Sequence, residues 1–164
     1  SKQDVHLASI AGGTDMVGCL VLGNLYSNVY KGEIQGQSLA IDIDVFTEDG
    51  KSTKDGEKGE LVVKQPFPSM PVKFWGDDTG KKYHNAYFTK FKNIWHHGDF
   101  IERTTNNGFI MRGRSDATLN PGGVRIGTSE IYQQVEDIEY ITEGLVVGQD
   151  YNCLLYTSDA ADEP

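Results

Sequence analysis

Ile94-Trp95-His96-His97-Gly98-Asp99-Phe100-Ile101-Glu102-Arg103-Thr104-Thr105-Asn106-Asn107-Gly108-Phe109-Ile110-Met111-Arg112-Gly113-Arg114-Ser115-Asp116 is the stretch from which the fold can be read. Ile94 to Glu102 predicts a strand. Asn106-Asn107-Gly108 predicts a hairpin turn, because Asn and Gly accept the positive backbone angles that tight turns need. Phe109-Ile110-Met111-Arg112 then returns antiparallel to the first strand. After Arg114 the character changes. Asn120-Pro121-Gly122-Gly123 is a glycine loop, Thr128 is placed to cap a helix with Glu130 in its first turn, and Ile131, Val135 and Ile138 share one face. Leu145-Val146-Val147 predicts the next strand of this second, α+β unit.

Upstream of the quoted stretch the pattern is mostly strand as well. Leu39, Ile41, Ile43 and Val45 alternate with Ala40, Asp42 and Asp44, the period of a strand with one buried face. Glu48-Asp49-Gly50-Lys51 supplies turn chemistry. Glu60-Leu61-Val62-Val63 follows the polar stretch 51–58, so the two strands read as an antiparallel pair with a long, solvated connection. Pro66, Pro68 and Pro71 are too many prolines for an element interior. The segment 65–78 therefore reads as an ordered loop anchored by Phe67, Met70, Phe74 and Trp75. The strands together predict a compact β unit.

Composition narrows the function classes. The 164 residues carry 15 Lys+Arg against 24 Asp+Glu, a formal charge of −9, which argues against nucleic-acid or anionic-membrane partners, since both need a basic face. A hydrophobic fraction of 38% suits a packed domain rather than a disordered tract. The longest mostly apolar stretch, Met16 to Leu25, is broken by Gly18, Gly23 and Asn24 and is too short to span a bilayer. Two cysteines, Cys19 and Cys153, offer no disulfide framework, and a reducing, cytoplasmic setting is expected. The chain opens at Ser1 without Met and reads as a fragment of a longer protein. Residues 153–164 continue no earlier pattern and resemble a translated sequencing adapter, so they are read as a non-native tail.

Four clusters carry candidate chemistry. In Gly12-Gly13-Thr14-Asp15, glycine N–H groups and a hydroxyl suit a phosphate, and a carboxylate suits Mg²⁺; the alternative is a plain glycine turn. In Trp95-His96-His97-Gly98-Asp99, the adjacent imidazoles should point to opposite faces of a strand and so are poorly placed to share a metal. Asp99 is better suited to accept hydrogen bonds from a pair of ligand hydroxyls, or simply to form a turn. Arg114 can donate to an anion or a sugar, or make a surface ion pair. Asp116, at the change of character, suits a hinge. Gly122 and Gly123 allow close approach of a ligand, and Arg125 can answer a phosphate.

Taken in order, Gly12-Gly13-Thr14-Asp15, Gly59-Glu60-Leu61, His97-Gly98-Asp99, Gly113-Arg114-Ser115-Asp116 and Gly122-Gly123-Val124-Arg125-Ile126-Gly127-Thr128-Ser129-Glu130-Ile131 resemble the ordered motifs of the adenylate-forming acyl-CoA ligases. The likeness covers nearly all of residues 1–152. It implies a fold class of α/β and β: a fragment of a two-domain enzyme, with residues 1–115 the β-rich C-terminal part of the large AMP-binding domain and residues 116–152 the hinge and start of the small α+β domain. It implies an ATP-dependent acid-thiol ligase working through an acyl-adenylate, with small-molecule substrates ATP and coenzyme A.

The same resemblance implies residue roles. Gly12, Gly13 and Thr14 would approach the nucleotide phosphates, with Thr14 at the α-phosphate, and Asp15 would help hold Mg²⁺. Asp99 would accept from the ribose hydroxyls and Arg114 would donate to the same sugar. Asp116 matches the hinge, Gly122 and Gly123 the pantetheine tunnel of coenzyme A, and Arg125 a phosphate contact. Where the family usually has Thr before Gly-Asp, this chain has His97. Acetate-specific relatives carry Trp at the place of Gly12, so a glycine implies an open acyl pocket that suits a four-carbon keto acid such as acetoacetate. On that reading Gly12→Trp shifts preference toward acetate. Propionate or butyrate as the acid, and a non-catalytic β module, are the rival readings. The phosphate-loop lysine and the lysine of adenylate formation have no counterpart in 1–152, so the fragment alone is expected to be inactive and poorly stable.

Overall fold

Why the chain folds as it does is seen first at its amino-terminal hairpin. In the computed structural model, which describes residues 5–115 together with 118–119, 126–127, 131–132, 134–135, 138, 140–141, 144–146, 148–151 and 154–157, β1 (Ala11–Gly13) pairs antiparallel with β2 (Gly18–Leu22). β3 (Gly36–Gln37) completes this small sheet in the order β1-β2-β3. Met16, Leu20 and Val21 of the hairpin are fully buried, which drives it against the rest of the unit.

The larger sheet has the order β4-β5-β6-β7, built from β4 (Ile43–Phe46), β5 (Lys58–Val63), β6 (Trp95–Arg103) and β7 (Phe109–Arg114), with α1 (Lys81–Tyr87) inserted between β5 and β6. β4 and β5 are antiparallel, with Ile43 opposite Val63 and Phe46 opposite Glu60. The expected turn and long connection lie between them, Thr47 N–H donating to the Lys51 carbonyl at 2.8 Å. Asn107 takes the positive φ of 60° that the β6–β7 turn requires. Val45, Leu61, Val63, Trp95, Ile101 and Phe109 join the hairpin's residues in one hydrophobic core. Burying each such side chain contributes ~1.5–3 kcal/mol.

Two expectations about strands change. β4 begins at Ile43, not Leu39: Leu39 is 95% exposed, and Ala40 turns the chain with φ 61°. Asp44, on the face read as polar, is buried. Its carboxylate accepts from Val45 N–H at 2.8 Å and Ser52 Oγ at 2.6 Å, with Lys64 at 3.5 Å and Arg103 at 3.8 Å. Helix α1 was not expected; it is announced by Asp77, whose Oδ2 accepts from the Tyr83 N–H at 2.9 Å and supplies an acceptor for the helix start. That hydrogen bond, followed by those from the Lys82 and Lys81 backbone and the Lys82 charge, holds the Asp77 carboxyl below its usual range against the opposing effect of burial.

The chain divides into two compact units, Ser1–Met111 and Arg112–Pro164, the break falling inside β7. In the second unit β8 (Thr118–Leu119) pairs antiparallel with β9 (Ile126–Gly127), and residues 131–132 and 134–135 are helical, where a helix was expected. Its cap, Thr128 and Glu130, lies outside the described residues. Of the expected strand Leu145-Val146-Val147, Leu145 and Val146 are not strand and Val147 lies outside the described residues; the strand is β10 (Gly148–Tyr151), paired with β11 (Leu154–Thr157). The Leu154-Leu155-Tyr156-Thr157 stretch, read as tail, therefore pairs as a strand, which its β-favouring residues permit. Among the described residues no helix is long and apolar enough to cross a membrane.

Candidate functional site

The first unit brings two of the four sequence clusters together. Thr14 and Asp15 sit exposed in the turn of the β1–β2 hairpin, closed by the Val17 N–H donating to the Thr14 carbonyl at 3.1 Å. Gly12 and Gly13 are strand residues that lead into this turn, not the turn itself. A Cβ on Gly13 would lie 2.9 Å from Cε1 of His97 in β6, so the glycine brings the hairpin backbone against that imidazole.

β6 is itself distorted here. Glu60 pairs with Phe100 and Val62 with His96, so Leu61 stands opposite the whole His97-Gly98-Asp99 stretch. This bulge depends on Gly98, whose φ of 85° would strain any side chain-bearing residue. Bulges re-aim side chains. The Nε2 of His97 lies 3.5 Å from Asp99 Oδ2, both side chains largely buried.

An aromatic stack joins the two motifs. The Tyr87 hydroxyl, from the last turn of α1, donates to Asp15 Oδ2. The Tyr87 ring stacks on Trp95 at 3.6 Å between centroids and 12° between planes. The Trp95 Nε1–H in turn donates to His97 Nδ1 at 3.3 Å. A continuous path of contacts thus runs from Asp15 through Tyr87, Trp95 and His97 to Asp99. Tyr83 packs beside it, and burial pushes its phenol above the usual range.

His96 takes different company: its Nε2 lies 2.8 Å from Glu60 Oε2, while Lys90 pairs with the other oxygen of that fully buried carboxylate. The two imidazoles serve different networks, as the alternation of a strand implies. Among the described residues no group of three His, Cys, Asp or Glu side chains gathers as a metal site. Asp15 is exposed in the hairpin turn, with Oδ2 accepting from the Tyr87 hydroxyl.

At Gly12 the neighbour is backbone. A Cβ there would lie 2.2 Å from the Gly18 carbonyl oxygen and 2.6 Å from the Cys19 Cα. The glycine thus lets the two strands of the hairpin approach closely at this position. Arg114 is exposed at the end of β7 and belongs to the second unit. Asp116, Gly122, Gly123 and Arg125 lie outside the described residues. Tyr87 was missed as a site residue, and Trp95, quoted with its cluster, was given no role. The signal for Trp95 was present, since Trp95, His97 and Asp99 alternate along one strand; nothing local marks Tyr87, which reaches Asp15 only through the fold.

No family model matches the chain. Its sequence is 58% identical over 150 residues to an acetoacetyl-coenzyme A synthetase of Rhizobium meliloti, covering 92% of this chain and 23% of that protein. Its fold matches the acetoacetyl-CoA synthetase from Streptomyces lividans with a TM-score of 0.78 and 39% identity, over 96% of this chain and 24% of that one. A benzoate CoA ligase from Burkholderia xenovorans matches with a TM-score of 0.68 and 25% identity, over 92% of this chain and 28% of that one. The chain spans about a quarter of the length of the curated relatives it matches. In sequence and in fold, then, the chain is similar to one segment of the acetoacetyl-CoA synthetases, within the adenylate-forming CoA ligases.

Proposed function

We propose that the protein carrying this chain ligates acetoacetate to coenzyme A, using ATP to form an acyl-adenylate and pyrophosphate, then transferring the acyl group to the thiol with release of AMP. The observation that carries this reading is the juxtaposition of the Thr14-Asp15 turn with His97 and Asp99, reached through the Tyr87–Trp95 stack, in a segment 58% identical to an acetoacetyl-CoA synthetase. The electrostatic problem of the first step is repulsion between a carboxylate and a triphosphate. Mg²⁺ supplies charge neutralisation at the phosphates when bound, and Asp15 would hold it. The Thr14 hydroxyl would donate to the α-phosphate. Asp99 would accept from the ribose hydroxyls in charge-assisted hydrogen bonds, fixing the nucleotide for in-line attack.

The remaining roles rest on sequence alone. Gly12 and Gly13 would let the hairpin backbone approach the nucleotide, Arg114 would donate to the sugar, and Arg125 would contact a phosphate. Asp116 would be the hinge on which residues 116–152, the start of a small domain, turn against residues 1–115 between the two steps, bringing Gly122 and Gly123 to the pantetheine arm. A cytoplasmic enzyme of short-chain acid metabolism is the setting this chemistry suits.

The test is acid-dependent AMP release by the full-length gene product with ATP, Mg²⁺ and CoA, comparing acetoacetate with acetate and butyrate. Preference for acetoacetate is the expected result. Preference for another acid keeps the mechanism and overturns the substrate, and no AMP from any acid overturns the ligase reading in favour of a non-catalytic β module.

A further inference from the structure

His97 has no part in the roles above, yet it is among the most constrained side chains near the site. It is 7% exposed. Its ring lies nearly parallel to the Trp95 indole, at 23° and 6.5 Å between centroids, and its Cε1 edge faces the bare Cα of Gly13. The bulge at Gly98 brings Asp99 within 3.5 Å of its Nε2. An indole N–H can only donate, so the Trp95 hydrogen bond requires a lone pair on His97 Nδ1, and the neutral ring then carries its proton on Nε2. That N–H faces the carboxylate. A contact of 3.5 Å is longer than a formed hydrogen bond, and such contacts tighten when ligand fills a site.

We propose that His97 is a positioning residue for the nucleotide: its Nε2–H orients the Asp99 carboxylate so that the carboxylate presents to the vicinal hydroxyls of a ribose. A neutral donor suits this task. Lys or Arg at the same place would form an ion pair with Asp99, whereas a neutral imidazole donates to the carboxylate without cancelling its charge. Trp95 sets the tautomer, and Gly13 leaves the room the ring needs. The proposal rests on the reading of Asp99 as ribose acceptor.

The experiment uses the full-length enzyme and compares ATP with 2′-deoxy-ATP in His97→Gln, His97→Asn and Asp99→Ala. A Gln amide reaches the position of Nε2, whereas an Asn amide reaches only that of Nδ1. His97→Gln is expected to keep KM for ATP and the preference for ATP within about threefold of wild type. His97→Asn is expected to raise KM for ATP by about tenfold, the size of one hydrogen bond to a charged group, with a smaller change in kcat and an equal loss of preference for ATP. Equal weakening toward both nucleotides in His97→Asn, or unchanged preference, overturns the role of His97. If Asp99→Ala itself retains the preference, the ribose reading of Asp99 fails and the proposal with it. Loss in Asp99→Ala without loss in His97→Asn removes only His97. Should His97→Asn not fold, Gly13→Ala displaces the ring without altering either residue and is expected to lose the same preference; retention there overturns the proposal.

Discussion

Gly12 and Gly13 are neighbours of one residue type held by different demands. At Gly12 the limit is backbone: the partner strand's carbonyl occupies the place of a Cβ. At Gly13 it is the edge of an imidazole that Trp95 already holds. Overpacking against backbone cannot be relieved by a rotamer change, so Gly12→Ala is expected to destabilise the chain by about 1–3 kcal/mol in urea unfolding followed by tryptophan fluorescence. Gly18→Ala is the control. Its added carbon would meet Ser69 Oγ at 3.5 Å, an ordinary contact, and a change similar to that of Gly12→Ala would show that hairpin propensity rather than the close approach sets the effect. The four-residue motif at 12–15 was visible in the sequence, but the division of labour inside it was not, because it depends on what stands across the hairpin.

Among the elements, β4 shows how a polar position becomes structural. Burial raises the Asp44 carboxyl, but the Ser52 hydroxyl, the Val45 N–H and the charges of Lys64 and Arg103 outweigh it and leave the group below its usual range. A carboxylate with a lowered folded-state value adds stability above its unfolded pKa of about 4, and loses it as pH falls through the lower folded value. Asp44→Asn is therefore expected to be less stable than wild type at pH 7, with the difference shrinking as pH is lowered through the acid range. Denaturant unfolding at pH 7 and pH 3 checks this; a difference independent of pH would mean that packing, not charge, is lost. The alternation at Ile41, Ile43 and Val45 correctly marked a strand and its buried side. It misjudged Leu39 and the outer face, since Lys64 and Arg103 come from β5's end and from β6, far away in sequence.

At the scale of the whole molecule, apolar exposure stands out. Leu7, Val17, Leu25, Tyr26 and Leu39 are each more than four-fifths exposed, and Val72 and Trp75 are as open. Apolar side chains left open to water favour association when they meet another apolar surface. The 164-residue chain by itself is expected to bind an apolar dye and to associate as concentration rises while its far-UV circular dichroism stays unchanged. Absence of both dye binding and association would show that these side chains find cover within the chain.

The sequence by itself determined the local outcomes. The Asn107 turn and the antiparallel β4–β5 and β6–β7 pairs follow from positive-φ tolerance and period-two burial, which are properties of neighbouring residues. The likeness to the CoA ligases was legible for a related reason, since each motif is a short local run of residues. Only the tertiary structure decided which motifs meet. Asp15 and Tyr87 are joined across 72 positions of sequence, and Gly13 meets His97 because the buried residues Met16, Leu20 and Val21 press the hairpin onto the same core as β6. Contacts of that kind are fixed by the packing of a shared core, and no spacing along the chain encodes them.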